Sequence, residues 1–282
     1  MTIVLLPVLL FGLRTEAVTR IVQRWPVPAR LLLSALLCVA YVLVSHAAGS
    51  LRWSWVALYA GLPVAVAWLL HRAAADDPSQ RGNWRDAFVL LVLGLAVDLR
   101  WFEPAWPAHL GAINKLLLLD AGLYGFLVIR QIGGMGFDLR PRWEDARIGL
   151  RELAFCAPVL VPLGFALGFS RLHLSPPSFR ALTTTWGFTF AFIAIPEEVY
   201  FRGWIQNLLE RRLGRRSALL ATSAIFGLAH FNKGTTHFNW RYVLMATLAG
   251  VFYGRAWQAQ RRVLASAITH ASVDAIWSLW LF

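Results

Sequence analysis

A chain of 282 residues that is 58% hydrophobic and 15% charged departs from an average soluble domain, which is about a quarter charged and under half apolar. Its apolar residues come in long unbroken blocks without polar faces, which excludes an ordinary soluble fold and leaves a bundle of spanning helices. The formal charge of +12 does not point to nucleic acid either, because the arginines sit in short connections between apolar blocks and not on one solvated domain.

In chain order, the apolar blocks are residues 2–13, 31–48, 54–71, 87–101, 112–130, 153–169, 182–208, 217–231, 241–258 and 264–282. The fold class is therefore all-α, a polytopic transmembrane bundle of about eight to ten spans; the first and fourth blocks are short. The first has no basic residue before its apolar core and has its positive charges after it, the reverse of a secretory signal, and reads as a retained span.

The connections alternate in charge. Those after odd-numbered blocks hold Arg14, Arg20, Arg24 and Arg30; Arg72, Arg81 and Arg85; Arg130, Arg140, Arg142, Arg147 and Arg151; Arg211, Arg212, Arg215 and Arg216; and Arg255, Arg261 and Arg262. Together these are the greater part of the 27 basic residues. Positive charge accumulates on the cytoplasmic side, so a multi-pass protein with both termini outside is expected, in a prokaryotic cytoplasmic membrane.

The stretch 131–150 is the longest polar connection, and its mixture of Arg, Trp143 and apolar residues suits a segment lying at the cytoplasmic interface. Gly133, Gly134 and Gly136 lack the preceding strand and following Lys-Ser/Thr of a phosphate loop and read as a flexible turn. Cys38 and Cys156 lie inside apolar blocks, where thiols act as small hydrophobes, so no disulfide is expected.

Ionisable groups inside spans are costly and mark function or a partner. The early blocks hold Asp98, Lys115 and Asp120, each assigned to a helix end or a snorkelling route. The last four blocks hold Glu197, Glu198, Arg202, His230, His270 and Asp274. In Pro196-Glu197-Glu198-Val199-Tyr200-Phe201-Arg202, Glu198 and Arg202 are four apart and share a helix face. Glu197, about 100° round the helix, is left without an intrahelical partner and able to accept a proton.

Each of these sites has a plainer reading: one packing network of three charges, an interfacial histidine at His230, an intrahelical hydrogen bond between His270 and Asp274. Depth links them. At about 1.5 Å per residue, Glu197 and His230 lie roughly 18–20 Å from the cytoplasmic ends of their segments and Asp274 roughly 15 Å. Around one cavity these groups would activate a water or ligate a metal.

The same residues resemble the CAAX protease and bacteriocin-processing family of intramembrane endopeptidases, relatives of the type II prenyl-protein protease. Glu197, Glu198 and Arg202 match its Glu-Glu…Arg motif, Phe226 and His230 its Phe…His motif, and His270 and Asp274 its His…Asn/Asp motif, in order. The resemblance covers roughly 180–282, which divides the chain into N-terminal helices with a cytoplasmic connection, 1–179, and a protease module, 180–282. It implies Glu197 as general base, His230 holding the attacking water, and His270 with the residue four on at the oxyanion; Glu198, Arg202 and Phe226 support. Asp274 stands where many relatives have Asn. An ionised carboxylate there opposes an oxyanion, so Asp274 is protonated, paired with His270, or used differently.

The function expected is hydrolysis of a peptide bond in a membrane-anchored or lipid-modified polypeptide. No cofactor is favoured; a zinc on Glu197, His230, His270 and Asp274 is the alternative, although two His four apart with Glu beside the first are absent. The rival classes are a proton-coupled transporter or channel, which favours inverted repeats that the chain lacks, and a non-catalytic scaffold or immunity protein.

Overall fold

The computed structural model describes residues 2–107, 110–173, 175–235 and 237–281. Among them no strand occurs, and each of the ten apolar blocks falls on its own helical segment. The protein is all-α. Three segments, Val27–Ala47, Trp53–Asp76 and Trp143–Ala166, are both long and apolar enough to cross a membrane by length and composition. Large apolar side chains such as Leu32, Leu36, Phe155 and Leu220 are exposed on helices, where lipid and not water is their solvent. This is an integral membrane protein.

The chain forms two compact units, Met1–Gly133 and Gly134–Phe282. In the first, α1 (Thr2–Gln23) outruns its apolar block by continuing past a break at Arg14, where φ is −139°. The second segment is α2 (Val27–Leu33), a 3-10 turn and α3 (Cys38–Ala47) in continuous succession. Next come α4 (Trp53–Asp76) and α5 (Trp84–Asp98). Asn83 caps α5 in a reciprocal capping box with Asp86, which satisfies donors that a helix start leaves orphaned. α6 (Gly111–Leu123) runs on through a π-helical turn, Tyr124–Ile129.

Arg130, at the end of that turn, donates to Asp86 Oδ1 at 3.0 Å and to Asp77 Oδ2 at 2.6 Å, closing the unit at this end. Asp98 is the last residue of α5, as its assignment to a helix end requires. Asp120 is a correction: it is fully buried inside α6, and neither carboxylate oxygen has a hydrogen-bond partner among the described residues. Hydropathy cannot reveal this, because it does not say which face of a helix its neighbours cover.

The second unit starts with a loop that the sequence reading made too long and too free. α7 (Trp143–Ala166) already begins at Trp143, so the irregular connection ends at Arg142. Its glycines are anchored. Gly136 has φ +75°, and a Cβ there would stand 2.0 Å from the Arg261 carbonyl oxygen, so only glycine allows this approach. Its own carbonyl accepts from the Val263 amide at 2.9 Å, and Met135 accepts from the Trp257 indole at 3.1 Å.

α8 (Phe179–Thr189), α9 (Ile195–Glu198) and α10 (Asn207–Leu213) form one continuous rod joined by π-helical stretches, Phe190–Ala194 and Val199–Gln206. After Gly214 follow α11 (Arg215–Leu228), α12 (Trp240–Gln260), and α13 (Val263–Ile276), which ends in a further π turn. α7 packs on α12 and α13, so the motif-bearing helices share their core with a helix from the segment before them. That core holds Cys156 and Leu160 of α7, Phe201 of the rod, Phe226 of α11, and Met245, Ala246, Ala249 and Tyr253 of α12. Cys38 and Cys156 are both free thiols.

Candidate active site

The site forms where α9, α11, α12 and α13 meet. Glu198 is completely buried, one turn before the completely buried Arg202, and Arg202 Nε stands 3.2 Å from Glu198 Oε2. Buried charges persist when they are paired, and these two pair, although Arg202 Nε and Nη1 find no hydrogen-bond partner among the described residues. Arg202 also donates to the Gly250 carbonyl at 3.1 Å, and its guanidinium lies 4.8 Å over the Phe226 ring. Glu198 accepts from the Ser266 hydroxyl and, at 2.8 Å, from Nδ1 of His270. The structure therefore assigns Glu198, Arg202 and Phe226 to one buried brace.

That brace aims His270. A carboxylate facing Nδ1 fixes the hydrogen on that nitrogen, which turns Nε2 outward toward two more acids: Asp274 Oδ2 at 3.5 Å and Glu197 Oε2 at 3.9 Å. Tyr253 stacks on the imidazole with centroids 4.5 Å apart. The structure brings Glu197, His270 and Asp274 within a few ångströms of one another; depth along the helices groups Glu197 and Asp274 with His230 instead.

Glu197 differs from its neighbour in every respect. Its side chain is 28% exposed, and its inner oxygen, Oε2, is buried with no hydrogen-bond partner among the described residues. One residue round the helix separates a fully spent carboxylate from one with free lone pairs. Asp274 is more open still, at 38%.

His230 lies just past α11 and donates from Nδ1 to the Phe226 carbonyl at 2.8 Å. A carbonyl only accepts, so Nε2 of the neutral ring carries a lone pair. The ring stacks on Tyr242 and makes no direct polar contact with Glu197, His270 or Asp274. Phe226, 4.8 Å from His230 and 5.6 Å from His270 between centroids, joins the two histidines.

Among the described residues no three His, Cys, Asp or Glu side chains gather in a metal-holding arrangement. Of the four candidate ligands, His270 has committed one nitrogen to Glu198, and His230 makes no direct polar contact with Glu197, His270 or Asp274. The donor set fits a metal poorly.

Sequence reasoning missed Ser266, Tyr242 and Tyr253. Each carried a signal. Ser266, His270 and Asp274 are spaced four apart and make one stripe on α13, and Tyr242 and Tyr253, eleven apart, fall three turns apart on one face of α12.

Residues 179–276 match the family described as Rce1-like, type II CAAX prenyl endopeptidase Rce1-like. No curated protein and no solved structure matches the chain. The match spans every group in the brace and every acid and histidine around it, so residues 179–276, about a third of the chain, are similar to an Rce1-like type II CAAX prenyl endopeptidase domain.

Proposed function

We propose that the protein is an intramembrane endopeptidase in which Glu197 activates the water that attacks a peptide carbonyl of a membrane-anchored or lipid-modified polypeptide. The observation that carries this reading is the unpartnered Oε2 of Glu197 facing His270 Nε2 across 3.9 Å. At that separation the two do not hydrogen-bond, so both stay available to a water beside them. A general base needs free lone pairs and a fixed position. Glu197 has both, whereas Glu198 has spent its oxygens on Arg202, Ser266 and His270.

His230 supports the same water through its Nε2 lone pair. His270 holds the attacking side of the site through its link to Glu198, and Asp274 is paired to it. The chemistry needs no metal in this reading, because carboxylate and imidazole acceptors suffice to take the water's proton.

A farnesylated peptide ending in a CAAX sequence, fluorogenic across the scissile bond, tests the proposal on the full chain in lipid nanodiscs. Glu197→Gln keeps shape and removes the base, so cleavage is expected to fall by at least about 100-fold with the protein still folded in the membrane. Normal turnover by that variant would sink the assignment. One tightly held zinc per chain, with activity lost on its removal and regained on its return, would recast the four residues as ligands.

A further inference from the structure

Attack on a peptide carbonyl turns its oxygen into an oxyanion, which needs a hydrogen-bond donor fixed in place beforehand. The groups already described are almost all acceptors. Glu197 and Asp274 are carboxylates, and His230 has spent its one hydrogen on Phe226. His270 gives Nδ1–H to Glu198 and turns Nε2 to the water side, between the Glu197 and Asp274 oxygens at 3.9 and 3.5 Å. The residue four after His270, an amide donor in many relatives, is Asp274.

Tyr242 stands beside this set with a donor still uncommitted. Asn239 caps α12 by accepting from the Tyr242 amide at 3.2 Å. The Asn239 amide and side chain are in turn tied to the Phe231 and Lys233 carbonyls at 2.7 and 2.8 Å, so the turn after His230 and the start of α12 hold one another. The Tyr242 ring is then fixed on three sides. It stacks on His230 at 5.3 Å and 18°, meets Phe169 edge-on at 5.4 Å and 87°, and meets Trp277 at 5.8 Å and 76°. Three aromatic neighbours leave the ring little freedom. Among the described residues its hydroxyl makes no hydrogen bond, and it lies within electrostatic range of both Asp274 and Glu197. Tyr253, the other ring stacked on a catalytic histidine, is completely enclosed.

We propose that the Tyr242 hydroxyl is a catalytic residue, the donor that stabilises the oxyanion opposite the water activated by Glu197. The inference rests on the hydrolytic reading above. In the first step the water oxygen bonds to the carbonyl carbon, Glu197 takes one water proton, and the C=O π pair moves to the oxygen, which Tyr242 hydrogen-bonds without giving up its proton. In the second step the C=O re-forms, the C–N bond breaks, and the proton on Glu197 passes to the leaving amine. Glu197 ends ionised and Tyr242 unchanged.

Tyr242→Phe keeps all three ring contacts and removes only the donor. With the farnesylated CAAX peptide and the full chain in nanodiscs, kcat is expected to fall on the order of 100-fold while KM stays within about threefold and thermal unfolding is unchanged. Tyr242→Leu reports the packing role separately: it should lower the unfolding temperature, which Tyr242→Phe does not. An undiminished kcat for Tyr242→Phe beside an inactive Glu197→Gln overturns the Tyr242 assignment and leaves Glu197 as base. A fall confined to KM makes Tyr242 a substrate contact and also overturns it. Equal activity of Glu197→Gln and wild type, or no cleavage by wild type, overturns the hydrolytic reading itself.

Discussion

Residues 1–133 and 134–282 each contain a buried arginine clasped by two aspartates, and the two clasps are built alike. Arg130 is held by Asp77 and by Asp86, which closes the capping box of α5. Arg262 is held by Asp138 and by Asp145, at the corresponding position of α7; it donates further to the Arg140 carbonyl at 2.7 Å. Nearly every donor is spent, so these clusters are structure. The charges inside the helices differ. The first unit has Asp120, neither oxygen of which finds a hydrogen-bond partner among the described residues; the second has Glu198, whose oxygens face Arg202, Ser266 and His270, beside Glu197, whose inner oxygen has no such partner. Partners and access together separate the two neighbouring acids: Glu198 is enclosed with its oxygens engaged, whereas Glu197 is 28% exposed and keeps a carboxylate oxygen without a partner among the described residues.

The strongest test of that distinction is Glu198→Gln. It preserves shape but removes the charge that pairs with Arg202 and orients His270, and breaking a buried pair costs about 3–5 kcal/mol. The expected result is a large loss of monodisperse protein and of unfolding temperature in detergent, against little change for Glu197→Gln. Equal stability of the two variants would erase the contrast between the neighbouring acids.

Arg262→Met and Arg130→Met each strand two aspartates at a helix end, at a cost of roughly 3 kcal/mol. Both should lower the unfolding temperature, while turnover per folded molecule at 20 °C below the transition stays near wild type, because neither arginine belongs to the brace. A selective loss of kcat in either would show that its clasp reaches the chemistry.

Acid should loosen both clasps to a smaller degree. Burial works to raise Asp138, but the Arg140 amide and the Arg262 guanidinium outweigh it and hold its carboxyl below the ordinary 3.8. Asp77 is likewise held below 3.8, burial being outweighed by the Ser79 hydroxyl, the Arg81 and Gly82 amides and Arg130. A depressed folded-state value means that the stabilisation is complete above 3.8 and fades as pH falls through the folded value. Amide hydrogen exchange at 134–142 and 77–86 should therefore hold steady down to about pH 4 and rise below it. Protection that falls already between pH 7 and 5 would assign the clasps to other groups.

The smallest change is expected from Asp120→Asn. Neither oxygen of Asp120 has a partner to lose, so stability should change by less than about 1 kcal/mol, and cleavage should not change. A loss of activity would bring the first unit into the mechanism.

Much of this protein was legible in its sequence. Apolar block length determined ten helical segments, because a chain in lipid must satisfy its backbone within each span. Spacing determined the Glu198–Arg202 pair, since residues four apart on one helix meet whatever surrounds them. It also separated Glu197 from Glu198 by angle alone. What only the tertiary structure decided are contacts between helices distant in the chain: His270 reaching back to Glu198, the rings of Tyr242 and Tyr253 set against two histidines, and Gly136 locked on Arg261. The enclosure of Asp120 belongs here too. Sequence periodicity reports which residues share a face of one helix; which neighbour covers that face, and which polar atoms it leaves without partners, is set by how the helices pack.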